Sequence, residues 1–410
     1  MRLERGTFGG RFAMVMAMAG SAVGLGNIWR FPYMVGENGG AAFILVYVVC
    51  CLLVSLPIFF CEAIIGKSQR ANTCYLSIVS SFIILSFYSV VGGWSVDYLL
   101  RSLHGGFQGQ SMEQAREMFA GISASMVENI SCMLVFLGLT ALIVVAGVEK
   151  GIGLFSKVSI PVLFIMMLLL AFNSSSLEGA KKGIEYLIRP DFSSLSGKAV
   201  AAALGQSFFS LSLGVGSILT YASYMKEEES VTFAGGWTVF FDTVFAIVSG
   251  FAIMPAVFAA GIEPGAGPSL VFETLPVIFS GMGWIVPIVF FLVILIAALS
   301  SSISLLEVVV SFLVDEKHLS RGRAVMDVFL WAAILGGACA VFPRLFGICD
   351  FVTSNVLMML GALAFCLAVG WKMPREEVLS YIRSPFLYKI IRYVIPVMII
   401  IIALIPFFDC

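Results

Sequence analysis

Residues 16–43 read MAMAGSAVGLGNIWRFPYMVGENGGAAF. The stretch begins as a lipid-compatible run of Met and Ala, yet Gly24 and Gly26 interrupt it ahead of Arg30, a charge that hydrocarbon does not tolerate without a partner. Glycine at this density weakens a helix, because it gives up more backbone freedom on ordering than alanine does. A span broken at its middle frees amides and carbonyls at membrane depth, and such backbone persists only where it lines a cavity or an ion site. A second interruption of the same kind, Ser212-Leu-Gly214-Val-Gly216, falls five apolar runs later. Paired breaks in corresponding halves point to an inverted repeat with a binding site at the bilayer centre; close helix packing through small residues has a similar spelling.

The 410-residue chain as a whole is 60% hydrophobic and 12% charged, with a mean hydropathy of +1.02. Such a chain cannot cover itself with water-compatible side chains, so its solvent is largely the lipid bilayer. A net charge of -1 supplies no basic field, which sets nucleic acid aside. Apolar runs long enough to span fall near 12–35, 41–65, 75–103, 129–147, 153–172, 198–222, 236–261, 279–313, 324–342, 350–371 and 387–408. They predict an all-α membrane protein of about eleven transmembrane helices, since open strands cannot satisfy their backbone in lipid. The nine cysteines are odd in number, and Cys50, Cys51, Cys61, Cys132 and Cys366 lie inside apolar runs, where they read as small buried hydrophobes rather than disulfides or metal ligands.

Lys and Arg fall mostly on one side of this arrangement, among them Arg2, Arg5, Arg11, Lys67, Arg70, Lys150, Lys157, Lys226, Lys317, Arg321, Arg323, Lys372, Arg375, Arg383, Lys389 and Arg392. The excess of basic residues in inner loops places the amino end in the cytoplasm and, with an odd number of spans, the carboxyl end outside or in the periplasm, for a multi-pass protein of the cell's inner membrane. Residues 1–11 then form an inner tail without a cleavable leader, and 104–128 and 173–197 are outer loops.

Five charged residues stand within spans: Arg30, Glu62, Asp242, Glu307 and Asp350. Glu62 suits a bond to broken backbone, and Arg30 and Asp350 suit either snorkelling or pairing across a vestibule. Asp242 has no basic residue in its own run, so a cation or a proton is its natural partner. Ser300, Ser301 and Ser302 either bond the preceding helical turn or offer oxygens to a hard cation, for which sodium is the candidate. His104 and His318 have no nucleophile or base motif beside them, which argues against an enzyme.

The stretch Met16–Phe43, together with Gly205–Tyr224 (GQSFFSLSLGVGSILTYASY) and Ser86–Trp94 (SFYSVVGGW), closely resembles the first, sixth and third helices of the neurotransmitter:sodium symporters, the group containing the bacterial leucine transporter. The resemblance runs through nearly the whole chain. It implies an inverted five-plus-five repeat, over 12–172 and 198–371, with unwound first and sixth helices, an outer loop at 173–197, and an inner loop and eleventh helix in 372–410. It implies sodium-coupled uptake of an amino acid by alternating access. One sodium site would use Ala22, Asn27, Ser210 and Asp242 with the substrate carboxylate. The other would use the carbonyls of Gly20, Val23 and Ala297 with Ser300 and Ser301. The substrate carboxylate would meet Leu25, Gly26 and Tyr88, its ammonium the carbonyls around Ala22, Phe209 and Ser210, and its side chain Ile84, Phe209, Ser212, Val215 and Leu305, with Ser301 also at the substrate. Arg30 and Asp350 resemble an outer gate, and Arg5, Tyr224 and Asp315 an inner one.

Departures from the family pattern refine these expectations. Chloride-dependent members resemble one another in carrying Asn and Ser where this chain has Asp242 and Ala246, so a fixed carboxylate stands in for the anion and chloride is not expected. Monoamine carriers resemble one another in an acidic residue at the position of Gly24, which favours a substrate that brings its own carboxylate. The connection GKSQRANTCYLS is shorter than family members show. A membrane sensor that binds the same amino acid without moving it is the competing reading.

Overall fold

The computed structural model describes residues 6–68, 75–262 and 271–408, and these are helical throughout, with no strand among them. Helices Ala41–Lys67, Tyr75–Leu103, Met126–Val145, Val148–Ser175, Val231–Ala259, Ile285–Lys317, Arg321–Val341, Pro343–Lys372 and Pro385–Ala403 are each long and apolar enough to cross a membrane. The pair Arg11–Ala22 and Gly26–Glu37, bent by 52°, makes the first span. The sixth expected span is also a pair, Gly197–Ser210 and Ser217–Ala222, neither half of which could cross about 30 Å of hydrocarbon alone. The expected all-α membrane architecture with broken first and sixth helices is therefore present.

Helix ends depart from the apolar runs because caps, not hydrophobicity, decide them. The tenth span begins at Pro343, where the missing amide of proline at the first helical position costs nothing, so Asp350 lies two turns inside a helix rather than at its start. The eighth begins at Ile285, leaving Leu275–Ser280 as a separate short helix. Both expected outer loops contain helices, Met112–Ala124 and Ala180–Ile188. The first opens with a capping box: the Ser111 hydroxyl accepts from the Gln114 amide at 3.3 Å, and the Gln114 side chain accepts from the Ser111 amide at 2.9 Å.

The third and eighth spans run together through the centre, with the fourth and ninth packed on them and the seventh lying against the first and fifth. Between these elements the two breaks meet. The first half-helix ends as Val23 turns to extended backbone (φ -69°, ψ 95°), and the Gly24 amide finds the Asn27 side chain at 3.2 Å. In the sixth span Ser212, Gly214 and Gly216 all adopt left-handed φ values, of 51°, 86° and 83°. Their backbone is satisfied from outside: the Glu62 carboxylate accepts from the Gly214 amide, while Ser77 donates to the Gly214 carbonyl at 3.2 Å and Ser81 to that of Val215 at 2.6 Å. Ser212 ties one break to the other by donating to the Ser21 carbonyl at 3.1 Å.

A Cβ built on Gly214 would lie 2.0 Å from the Met358 carbonyl oxygen, so both conformation and space require glycine there. Gly214→Ala is expected to lower the melting temperature in detergent by several degrees, the left-handed backbone alone costing about 1–2 kcal/mol. Gly236→Ala, which meets no atom within 4 Å, is the neutral control. Equal melting temperatures for the two variants would contradict the assignment.

Candidate functional site

The start of the second half of the first span, the break after Ser210 and the middle of the seventh span bring Asn27, Ser210 and Asp242 into direct contact, all of them buried. The Asn27 amide donates to Asp242 Oδ1 at 2.8 Å and to Ser210 Oγ at 3.1 Å. Ser210 Oγ lies 2.9 Å from both Asp242 carboxylate oxygens, and the Tyr47 hydroxyl donates to Asp242 Oδ2 at 3.2 Å. Asp242 thus has three hydrogen-bonding neighbours and, among the described residues, no cationic side chain, an arrangement suited to a small hard cation or a proton. Gln206 donates to the Gly26 carbonyl at 3.1 Å, and its own Oε1 is buried without a partner.

A second group of oxygens forms where the eighth span passes the first break. The Ser300 hydroxyl lies 3.1 Å from the Val23 carbonyl and 2.8 Å from that of Ala297. Ser301 stands so close to the neighbouring backbone that a Cβ on Gly24 would come within 2.3 Å of its hydroxyl oxygen. Gly20 lies one turn before Val23 and packs against Ile160 and Ser156. Carbonyl and hydroxyl oxygens without a carboxylate suit a monovalent cation better than a divalent one.

Between the two groups is a cavity of about 80 Å³, and every residue expected around the substrate lines it: Ala22, Leu25, Gly26, Ile84, Tyr88, Phe209, Ser210, Ser212, Val215, Ser301 and Leu305. Phe87, Asp350, Ser354 and Met358 also line it; the sequence marked Asp350 as a charge within a span, but it gave Phe87, Ser354 and Met358 no place at the site. The Tyr88 hydroxyl is buried and makes no hydrogen bond, lying beside the Ser301 hydroxyl and the Leu25 amide. The cavity continues past Tyr88 and Phe209 into a vestibule of about 730 Å³ that holds Arg30 and Asp350. These two charges do not close it: the Arg30 guanidinium sits 4.7 Å over the Phe209 ring, and Asp350 accepts from Ser354 at 3.2 Å.

At the opposite end, Tyr224 donates to Glu307 at 2.6 Å, and Arg321 holds both oxygens of that carboxylate, at 3.1 and 2.5 Å. Arg321 also donates to the Val144 carbonyl at 2.8 Å. This ion pair, with Glu307 buried and Arg321 partly exposed, answers the question posed by Glu307 in a span, and the partner comes from the start of the next helix. Asp315 lies two turns further along the eighth span, and Arg5 is outside the described residues. Removing only the acid leaves Arg321 uncompensated, so Glu307→Gln is expected to destabilise the protein more than Glu307→Gln combined with Arg321→Gln. Thermal unfolding of both variants in detergent checks this, and additive losses would show that the pair is not coupled.

The model of the sodium:neurotransmitter symporter family matches residues 5–111 and 107–408. A sodium-dependent transporter of Bacillus subtilis, YhdH, is 35% identical over 96% of both chains, and a sodium-dependent transporter of Haemophilus influenzae is 32% identical over 97% of both. The crystal structure of MhsT in complex with L-phenylalanine superposes with a TM-score of 0.88 at 35% identity, covering 98% of this chain and 99% of that one. With the family model, full-length relatives and a solved structure in agreement, the chain belongs to the sodium:neurotransmitter symporter family of multi-pass membrane transporters.

Proposed function

We propose that this chain is a sodium-coupled symporter of neutral, hydrophobic or aromatic L-amino acids, working by alternating access with its amino end in the cytoplasm. The observation that carries the reading is the cavity between the two breaks, polar at one end and apolar at the other. At the polar end, the Leu25 and Gly26 amides and the unpaired Tyr88 hydroxyl would receive the substrate carboxylate. The carbonyls near Ala22, Phe209 and Ser210 would receive the ammonium. At the other end Ile84, Val215 and Leu305 leave a charged side chain with no partner, at a heavy desolvation cost. The phenylalanine in the MhsT complex is a ligand of this class, which favours the aromatic reading.

Two sodium ions would accompany the substrate, one at Ala22, Asn27, Ser210 and Asp242, the other at Gly20, Val23, Ala297, Ser300 and Ser301. Two cations and a zwitterion carry +2 into a low-dielectric centre, where an anion nearby is needed. Asp242 supplies one covalently, so chloride is not required, and a proton taken up there after sodium leaves would balance the empty return. Tyr88 and Phe209 would form the lid. Arg30 and Asp350 would pair as the outer side closes, and Tyr224, Asp315 and Arg5, the last outside the described residues, are the family's expected inner gate.

Thermal-shift binding of the twenty amino acids should show sodium-dependent stabilisation by neutral apolar ones; equal shifts in sodium and choline would refute the coupling. Val215→Phe should weaken tryptophan and tyrosine more than alanine or valine, because added volume removes room rather than polarity. In proteoliposomes with gluconate replacing all chloride, wild-type uptake should be undiminished, while Asp242→Asn should be crippled or newly chloride-dependent. Wild-type uptake that collapses without chloride would end the charge argument. Binding without any sodium-driven accumulation would favour a sensor.

A further inference from the structure

The segment Pro343–Val352 carries Asp350 along one wall of the vestibule, yet none of its residues is buried. Directly after it, residues Thr353–Leu357 widen into a π-helical turn, a local irregularity at which helices bend and which recurs at functional sites. The outer end of the tenth span is thus partly exposed, held by Phe346 against Phe87 and Trp94, and has a bending point at its base. Its neighbour is more deeply held: Cys339, near the end of the ninth span, is buried in an apolar cluster with Phe87, Val90 and Met133. Cys349 packs against that cluster from the partly exposed segment, and the two sulfurs are 4.0 Å apart. Both thiols are free, and Cys349 is partly exposed.

We propose that Cys339 and Cys349 form a reversible disulfide that staples the partly exposed outer segment of the tenth span to the ninth and holds Asp350 at the open vestibule wall. Sulfurs already this close on adjacent helices need only a small shift to bond. The oxidant is a small-molecule disulfide. The Cys349 thiolate, having lost its proton to solvent, attacks one oxidant sulfur and releases one thiol. The Cys339 thiolate then attacks Cys349 of the mixed disulfide and releases the second thiol. The protein loses two protons and two electrons, and the oxidant gains them as two thiols. On the orientation proposed above, this pair faces the exterior, where disulfides persist. The consequence for transport rests on the reading of Asp350 as part of a gate that must close over the substrate.

Arg344 separates the two cysteines, so tryptic peptides from the oxidised protein should appear as one linked species. The full-length protein in proteoliposomes is treated with oxidised glutathione, or with a phosphine reductant, and read three ways: by peptide mass, by amide hydrogen exchange in 343–352, and by sodium-driven amino-acid uptake. Oxidation should link the peptides, slow exchange in that segment, and lower uptake by at least about five-fold, as expected when one of two states is locked out. Reduction should restore all three, and Cys339→Ser or Cys349→Ser should abolish the response while keeping the uptake of the reduced wild type. Failure of the peptides to link would overturn the site. A link without slowed exchange would overturn the staple. A link with slowed exchange and unchanged uptake would overturn its gating role, as would an oxidant effect that survives in Cys349→Ser. Absence of uptake in the reduced protein would refute the proposed function instead, while peptide mass and exchange would still decide on the thiol pair.

Discussion

Every feature of this protein depends on a single constraint: backbone amides and carbonyls in a bilayer must find partners within the protein. An unbroken helix meets that demand alone. Here two helices do not, and the unmet groups are taken over by side chains from other elements. The Glu62 carboxylate holds the Gly214 amide, Ser77 and Ser81 hold the next carbonyls, and Asn27 answers the Gly24 amide. Glu62 thus supports the broken backbone beside the cavity without lining the cavity itself.

The same constraint explains why oxygen gathers where it does. Asp242 lies beside Asn27, Ser210 and Tyr47 with no basic side chain among the described residues to neutralise it, which suits a partner that arrives from solution. At the other group, Ser300 and the carbonyls of Val23 and Ala297 provide oxygen without net charge. The two groups flank one cavity but present different fields, one with a carboxylate and the other without. Gly24, pressed against Ser301, has no room for a side chain that could add a further fixed charge.

Much of this was legible in the sequence, for a physical reason. Glycines and charges are penalised in lipid, so Gly24, Gly214, Glu62 and Asp242 stand out against their surroundings, and the apolar runs locate the body of each span. Helix ends were not legible from hydropathy: Pro343 starts the tenth span well before its apolar run, and the Ser111 capping box starts an outer helix that composition hides. Partners across the fold were equally hidden. Nothing in the local pattern tells Glu307 that its cation is Arg321, or Ser81 that its acceptor is Val215, because those pairings arise only when helices pack. The division of the cavity residues into carboxylate, ammonium and side-chain neighbours came from family resemblance. Spacing alone left Ile84, Val215 and Leu305 as ordinary packing residues.

Phe8, just before the first helix, is 1% exposed and packs edge-on against Tyr221 and Tyr224, with ring centroids 5.7 and 6.1 Å away. It plugs the end of the molecule opposite the vestibule. Any opening on that side has to draw this ring out of its aromatic seat and wet the surfaces it covered. Exposing apolar surface raises the heat capacity, so the two ends of the transport cycle would differ in heat capacity as well as in shape. The balance between them would then bend with temperature instead of following a straight van't Hoff line, through a residue that touches neither ion nor substrate.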